Sequence, residues 1–323
     1  MSQYQVPRST QYLLPPNIHC LGHEPKTQQC SRQLSFTMSH DDHEPDSVEV
    51  EKLPDGITLI SLSRSHRRNA VNPATAQKLY SAFQAFDADS SQKVCVFYGQ
   101  HGTFCAGADL HEVAKLDLGT DIGTTSTSSS ATAAAVAEHV RLDTDTRGPM
   151  GPSRLQISKP VIAAMSGHAV AGGLELSLLA DMRVVDSDAI FGVFCRRWGV
   201  PLIDGGTVRL PTIVGLGRAL DMILTGRAVD AQEAYAMGLA NRVVPRGKAV
   251  EEAIRIAREL AGWPQMCLKA DRASAYYGVF EAKNLREALA REFERGVGVV
   301  EAEGVKGAAR FAGGKGRHGS SKM

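Results

Sequence analysis

Residues 159–181 read KPVIAAMSGHAVAGGLELSLLAD, and the fold turns on this stretch. Its first half is apolar, begins after Pro160 and runs to the Ser166-Gly167 pair, which reads as a buried strand. A glycine-rich turn follows at Gly172-Gly173. Leu174 to Ala180 then continues as a helix, with Glu175 one turn in. A strand, a glycine turn and a helix start present backbone N–H donors, a helix N-terminus and a carboxylate to one cavity. Such a site can hold a developing oxyanion and move a proton beside it. An earlier segment, Gly99 to Leu110 (GQHGTFCAGADL), has the same strand-then-glycine character and is a candidate for a second donor. The apolar run from Pro160 to Ala180 is about as long as a membrane span. It carries Gly167, His168, Gly172, Gly173 and Glu175, so it reads instead as a strand and helix inside a soluble core.

Around this centre, alternating strand and helix patterns from Val48 to Val244 argue an α/β core. Val48 to Lys52, the Pro54-Asp55-Gly56 turn and the alternating Ile57, Leu59 and Ser61 predict a hairpin. Pro73 opens a helix whose Leu79, Phe83 and Phe86 share one face. Val94 to Tyr98 and Met182 to Val185 read as strands, Phe191 to Asp204 as a loop. Helices are expected around Gly215–Leu224 and Ala231–Met237, and a strand over Ala240–Val244. Residues 1–45 are rich in Gln, Ser, His and Pro, lack apolar periodicity, and are expected to be a disordered or processed extension. Few acids precede Asp41, a weak transit-peptide signal. The core is expected over 46–245, broken by a low-complexity insert at 117–152 (TTSTSSSATAAA at its centre), with a helical segment and basic tail over 246–323.

Lys and Arg total 36 against 35 Asp and Glu, so no domain-scale basic surface for nucleic acid is implied. The six cysteines form no CxxC and pair with no nearby histidines, which points to free thiols in a reducing compartment and away from zinc. Gly215-Leu-Gly-Arg-Ala-Leu220 is half a dinucleotide fingerprint without a convincing strand before it, so NAD is not expected. No GxSxG elbow is present. His168 reads as a satisfied core histidine. Ser321-Lys322-Met323 approximates the Ser-Lys-Leu address and predicts a peroxisomal protein, with mitochondrion or cytosol as alternatives.

Five ordered segments resemble the enoyl-CoA hydratase/isomerase (crotonase) family: HRRNAVNP (66–73), GTFCAGADL (102–110), residues 159–181, GGTVRLPTIVG (205–215) and LTGRAVDAQEAYAMGLANRVVP (224–245). The resemblance covers the chain from Val48 onward. It implies a spiral of ββα units, a C-terminal helical segment for trimer or hexamer assembly, an acyl-CoA thioester as substrate, and no cofactor beyond the substrate's own CoA. It puts the oxyanion-hole N–H groups on Ala108 and Gly172, where small residues let a thioester approach the backbone. It puts a catalytic glutamate on Glu175, which burial would tune toward proton transfer; a structural ion pair is the alternative. CoA contacts are implied at Arg67, Arg68, Ala70, Asp109 and Leu110, and the basic Lys315–Arg317 end is a candidate phosphate partner.

One departure matters. The family's second hydratase glutamate falls on Cys195, a thiol better read as a small core residue than as a base for water. Asp204 is the candidate second carboxylate, or a cap for the following helix, or both. Three readings follow: an enoyl-CoA isomerase or hydratase, a catalytically retired scaffold binding acyl-CoA or partner proteins, and a thioester hydrolase. The first is favoured, with isomerisation tilted over hydration because one carboxylate can carry a proton between two carbons.

Overall fold

Ile57 to Leu62 is buried at every position, and the reason is that helices cover both faces of the sheet it enters. The computed structural model describes residues 44–114 and 147–314. Outside them lie residues 1–43 of the expected N-terminal extension, 115–146 of the expected insert, the basic Lys315–Arg317 end and the Ser-Lys-Met terminus. Two residues of the expected extension, Glu44 and Pro45, are among those described, and Pro45–Ser47 forms a 3₁₀ turn.

Strands β1 (Val48–Leu53) and β2 (Ile57–Leu62) form the predicted antiparallel hairpin, Val48 opposite Leu62. The sheet then grows by parallel addition of β3 (Val94–Gly99), β4 (Val161–Met165), β6 (Met182–Asp186) and β9 (Arg242–Val244), in the order β1-β2-β3-β4-β6-β9. Side chains alternate across it. Ile60, Leu62, Cys95, Phe97, Val161, Ala163 and Met165 join one core, which includes Leu79, Phe83 and Phe86 of α1 (Pro73–Ala88). A short helix, α2 (Leu110–Val113), follows β3. Ile57, Leu59, Val94, Val96, Ile162 and Val184 join a second core with Ala253, Ile256 and Ala257 of a helix from far down the chain, Ala249–Gly262. A strand covered on both faces reads as an apolar run, not as half-polar alternation. The distant helix is what turns the expected one-sided hairpin strand into a central one.

A smaller sheet holds β5 (His168–Val170), β7 (Ile190–Gly192) and β8 (Val229–Asp230), in the order β5-β7-β8. The chain therefore repeats one move: a strand in the large sheet, a strand in the small one, a helix. β4, β5 and α3 (Gly172–Ser177) make one such unit, and β6, β7 and α4 (Gly206–Val214) another. These are the expected ββα units. The expected loop over Phe191–Asp204 contains part of β7 and a 3₁₀ turn, Phe194–Trp198. His168 is exposed rather than a core residue, because β5 begins at the surface. Helices α5 (Leu216–Thr225) and α6 (Ala231–Ala236) follow, then α7 (Ala249–Gly262), α8 (Gln265–Phe280), α9 (Leu285–Val299) and α10 (Val305–Ala312). The last three bury no residue fully. α8 is tied to the core by polar contacts: Arg272 Nε and the Tyr276 hydroxyl both donate to Asp181 Oδ1, at 2.9 and 2.8 Å. No described helix is long and apolar enough to cross a membrane.

Candidate active site

The glycines of residues 159–181 are required by their surroundings. A Cβ on Gly173 would lie 2.1 Å from the Cys105 carbonyl oxygen, and one on Gly172 2.7 Å from Met150 Sδ. Between β5 and α3 stands Ala171, with φ 54° and ψ −127°. A residue with a Cβ pays strain there, and its N–H is held by the Gly192 carbonyl at 2.8 Å. That turn starts α3 at Gly172, whose N–H lies in the first helical turn and so has no acceptor within the helix.

The facing wall is the loop after β3. Cys105 N donates to His168 O and Cys105 O accepts from Val170 N (2.9 and 3.1 Å), which fastens this loop to β5. On either side of Ala108, Val71 N donates to Gly107 O at 2.8 Å and Asp109 N to Val71 O at 2.9 Å. In such a parallel bridge the middle residue, Ala108, turns its own N–H away from Val71. Gly107 has φ 101°, and a Cβ on it would approach Gly172 N to 3.1 Å. The two wall segments are therefore within touching distance. Ala108 and Gly172 line one cavity of about 320 Å³ together with Glu175, Cys195 and Asp204.

Glu175 is 3 % exposed. Its Oε1 accepts from Asp204 N at 2.8 Å and Gly206 N at 2.9 Å. Burial, then the neighbouring Asp204 charge, raises its pKa to about 7 against the pull of those two amides. Asp204 is equally buried. Its Oδ1 accepts from Met150 N at 3.0 Å and from the Ser153 hydroxyl. Burial raises its pKa too, opposed by the Ser153 and Met150 hydrogen bonds. Arg209 steadies the arrangement, donating to Ser153 O at 2.8 Å and Asp204 O at 3.4 Å. Burial, and secondarily the Glu175 charge, pushes the Cys195 thiol up, so it stays protonated at neutral pH.

A family model described as enoyl-CoA hydratase/isomerase matches residues 52–140 and 151–300. The chain belongs to the enoyl-CoA hydratase/isomerase family. It is 35 % identical over 215 residues to 2,3-dehydroadipyl-CoA hydratase of Escherichia coli, covering 66 % of this chain and 76 % of that one. It is 36 % identical over 221 residues to a putative enoyl-CoA hydratase of Thermus thermophilus, covering 66 % and 77 %. The crystal structure of an enoyl-CoA hydratase from Mycobacterium tuberculosis superposes with a TM-score of 0.70 at 29 % identity, over 82 % of this chain and 95 % of that one. The fold is thus the family's α/β crotonase spiral, and the protein is an enoyl-CoA hydratase/isomerase family enzyme.

Within this family member the expected residues divide. Ala108, Asp109, Leu110, Gly172, Glu175 and Asp204 line the one cavity, whereas Arg67, Arg68 and Ala70 do not. Arg68 lies in a left-handed turn (φ 50°) with its side chain exposed. Ala70 is buried beneath Arg64, to which its carbonyl is hydrogen-bonded. The Asp109 carboxylate, expected at the CoA, is turned onto Arg64 Nη1 and Nη2, both at 3.2 Å. Asp204 does not cap α4: that position is Gly205 (φ 95°), and the Asp204 side chain faces Met150 and Ser153 instead. Sequence reasoning missed Met150, Ser153 and Arg209. The first signal for them is Asp204 itself, a buried acid that needs donors.

Proposed function

We propose that this enzyme moves the double bond of an acyl-CoA, interconverting 3-enoyl and 2-enoyl thioesters, with Glu175 as the proton shuttle. One observation carries the reading: a carboxylate with a pKa of about 7 stands one helical turn from the Gly172 amide, while the thiol at 195 stays protonated. In this reading the thioester oxygen sits between the Ala108 and Gly172 N–H groups. Glu175 takes a proton from Cα of the 3-enoyl chain, negative charge moves onto the thioester oxygen, and the two amides stabilise it. Glu175 then returns the proton to Cγ, leaving the double bond conjugated with the carbonyl. A group that both takes and gives a proton works best with a pKa near the operating pH. No cofactor beyond the substrate's CoA enters the scheme.

Hydration is the second reading, and Asp204 supports it. Adding water across the double bond needs one group to take a proton from water and another to deliver one to Cα, and Glu175 and Asp204 are both buried carboxylates on the lining of this cavity. Trimeric or hexameric assembly is part of the proposal. Leu285, Leu289 and Phe293 of α9 are 74, 52 and 72 % exposed, an apolar stripe of the kind that a second copy covers. Peroxisomal residence rests on the Ser-Lys-Met terminus, and a fluorescent fusion with and without those three residues tests it.

The experiment for the reaction incubates the enzyme with matched 3-enoyl- and 2-enoyl-CoA and follows the absorbance of the conjugated thioester. A rise from the 3-enoyl substrate supports isomerisation; loss from the 2-enoyl substrate alone favours hydration. Free thiol release would establish hydrolysis, and silence with both substrates the non-catalytic scaffold.

A further inference from the structure

Arg64 was not singled out in the sequence, yet its guanidinium is 4 % exposed and engaged on every side. It sits just past β2, outside the cavity wall. Nε and Nη2 donate to the Glu44 carboxylate, Nη1 to the Ala70 carbonyl, and Nη1 and Nη2 to Asp109 Oδ2. Its backbone N–H donates to Asn69 Oδ1 at 2.8 Å. The Asn69 amide in turn donates to Gln100 O at 2.9 Å and Thr103 O at 2.6 Å. One buried arginine thus joins the end of β2, the 66–72 loop and the loop carrying Ala108.

The consequence for the site follows from where Asp109 stands. Its backbone N–H closes the bridge to Val71 that turns the Ala108 N–H outward, and its Oδ1 accepts from His111 N at 3.1 Å to start the helix Leu110–Val113. Its Oδ2 is the oxygen held by Arg64. The 66–72 loop opposite carries two residues in the left-handed region, Arg68 and Asn69 (φ 50° and 57°), which relax unless their surroundings hold them. Ala108 itself has no side chain that could fix its direction.

We propose that Arg64 and Asp109 form a positioning clamp: the buried ion pair, with the Asp109 carboxylate turned onto Arg64, sets the direction of the Ala108 N–H and so the strength of the oxyanion site. The inference rests on the Ala108–Gly172 oxyanion reading. An amide that has lost its alignment still admits the ground-state thioester but stabilises the enolate poorly.

The test uses the full chain and two variants, Asp109→Asn, which keeps the shape and the cap on His111, and Arg64→Lys, which keeps the charge but not the fork. Turnover of the enoyl-CoA that the enzyme accepts is compared with binding of two non-turning ligands of matched chain length. One is a saturated acyl-CoA; the other is a 3-oxoacyl-CoA, whose enolate absorbance reports ionisation in the site. For Asp109→Asn we expect kcat to fall about 30-fold and KM and saturated-ligand binding to change less than about threefold. The enolate signal should weaken in parallel with kcat. Arg64→Lys should show the same pattern at about a tenth of wild-type kcat. Combining the two should cost less than the product of the single losses, since both break one contact. Variants that melt earlier yet keep kcat and the enolate signal would overturn the clamp, as would fully multiplicative losses. A wild-type enzyme that binds the 3-oxoacyl-CoA with no enolate signal would sink the oxyanion reading itself, and this proposal with it.

Discussion

Replacing Glu175 by Gln should nearly abolish turnover and, above neutral pH, make the protein more stable. Both effects follow from one fact, that the folded protein holds this carboxyl at a pKa of about 7 against an ordinary 4.5. Between those values the folded chain keeps a proton that the unfolded chain has released, so stability falls as pH rises through the window. Each pH unit is worth about 1.36 kcal/mol, so ionised Glu175 costs the folded state about 3 kcal/mol above pH 7. Gln carries no charge, and its carbonyl oxygen can still accept from Asp204 N and Gly206 N. Its NH₂ needs a partner, which takes back about 1 kcal/mol. The net gain is about 2 kcal/mol at pH 8, roughly 3 °C in Tm for a chain of this size, because the unfolding entropy grows with length. Near pH 5 the gain vanishes, because wild type is then neutral at 175 as well.

The assay is thermal unfolding of both proteins from pH 5 to 8.5, beside initial rates on the substrate pair. Removing a positioned acid–base group costs about 10²–10⁴-fold in rate, and the limb of the wild-type pH–rate profile near 7 should disappear. A Gln variant that is less stable at pH 8, with a difference that ignores pH, would refute the desolvation argument. Activity within about threefold of wild type would refute the catalytic assignment.

Asp204→Asn keeps an oxygen for Met150 N and the Ser153 hydroxyl but removes the charge that helps to raise Glu175. The pH–rate limb should move toward acid, and if Asp204 serves hydration, water addition should fall at least about tenfold while isomerisation persists. Cys195→Glu adds a further carboxylate to the cavity that Glu175 and Asp204 already line. The ratio of hydration to isomerisation should rise about tenfold in the product mixture, and an unchanged ratio would mean that position 195 does not face the double bond. Leu289→Glu with Phe293→Glu places charges on the exposed stripe of α9. Sedimentation should show the assembly shift toward monomer with the far-UV spectrum retained; an unmoved assembly would place the interface elsewhere.

What could be read from the sequence was whatever nearby residues decide. Asn72-Pro73 opens α1 because an Asn side chain accepts from the amide three residues on, here Thr75 N at 2.8 Å, and proline fits the first turn. Leu79, Phe83 and Phe86 declare its buried face by spacing alone. Gly172-Gly173 with Glu175 three residues later announces an amide and a carboxylate on one helical turn, and both line the cavity. What stayed hidden depends on partners far along the chain. Ile57, Leu59 and Ser61 look like one face of a two-faced strand until Ala249–Gly262 returns to cover it. Asp204 is an equally good helix cap or site acid on paper; Ser153, 51 residues upstream, decides by taking its Oδ1. Arg64 looks like any arginine on a basic loop, and only the folding of Glu44 and Asp109 onto it makes it a buried clamp. The pKa of Glu175 belongs to the same class. The apolar run around it predicts the upward direction, but the Asp204 charge and the two amides that set how far it rises arrive from another turn of the spiral. The chemistry can therefore be retuned without touching residues 159–181: a change at Asp204, Ser153 or Arg209 should move the proton affinity of Glu175 while leaving its helix intact.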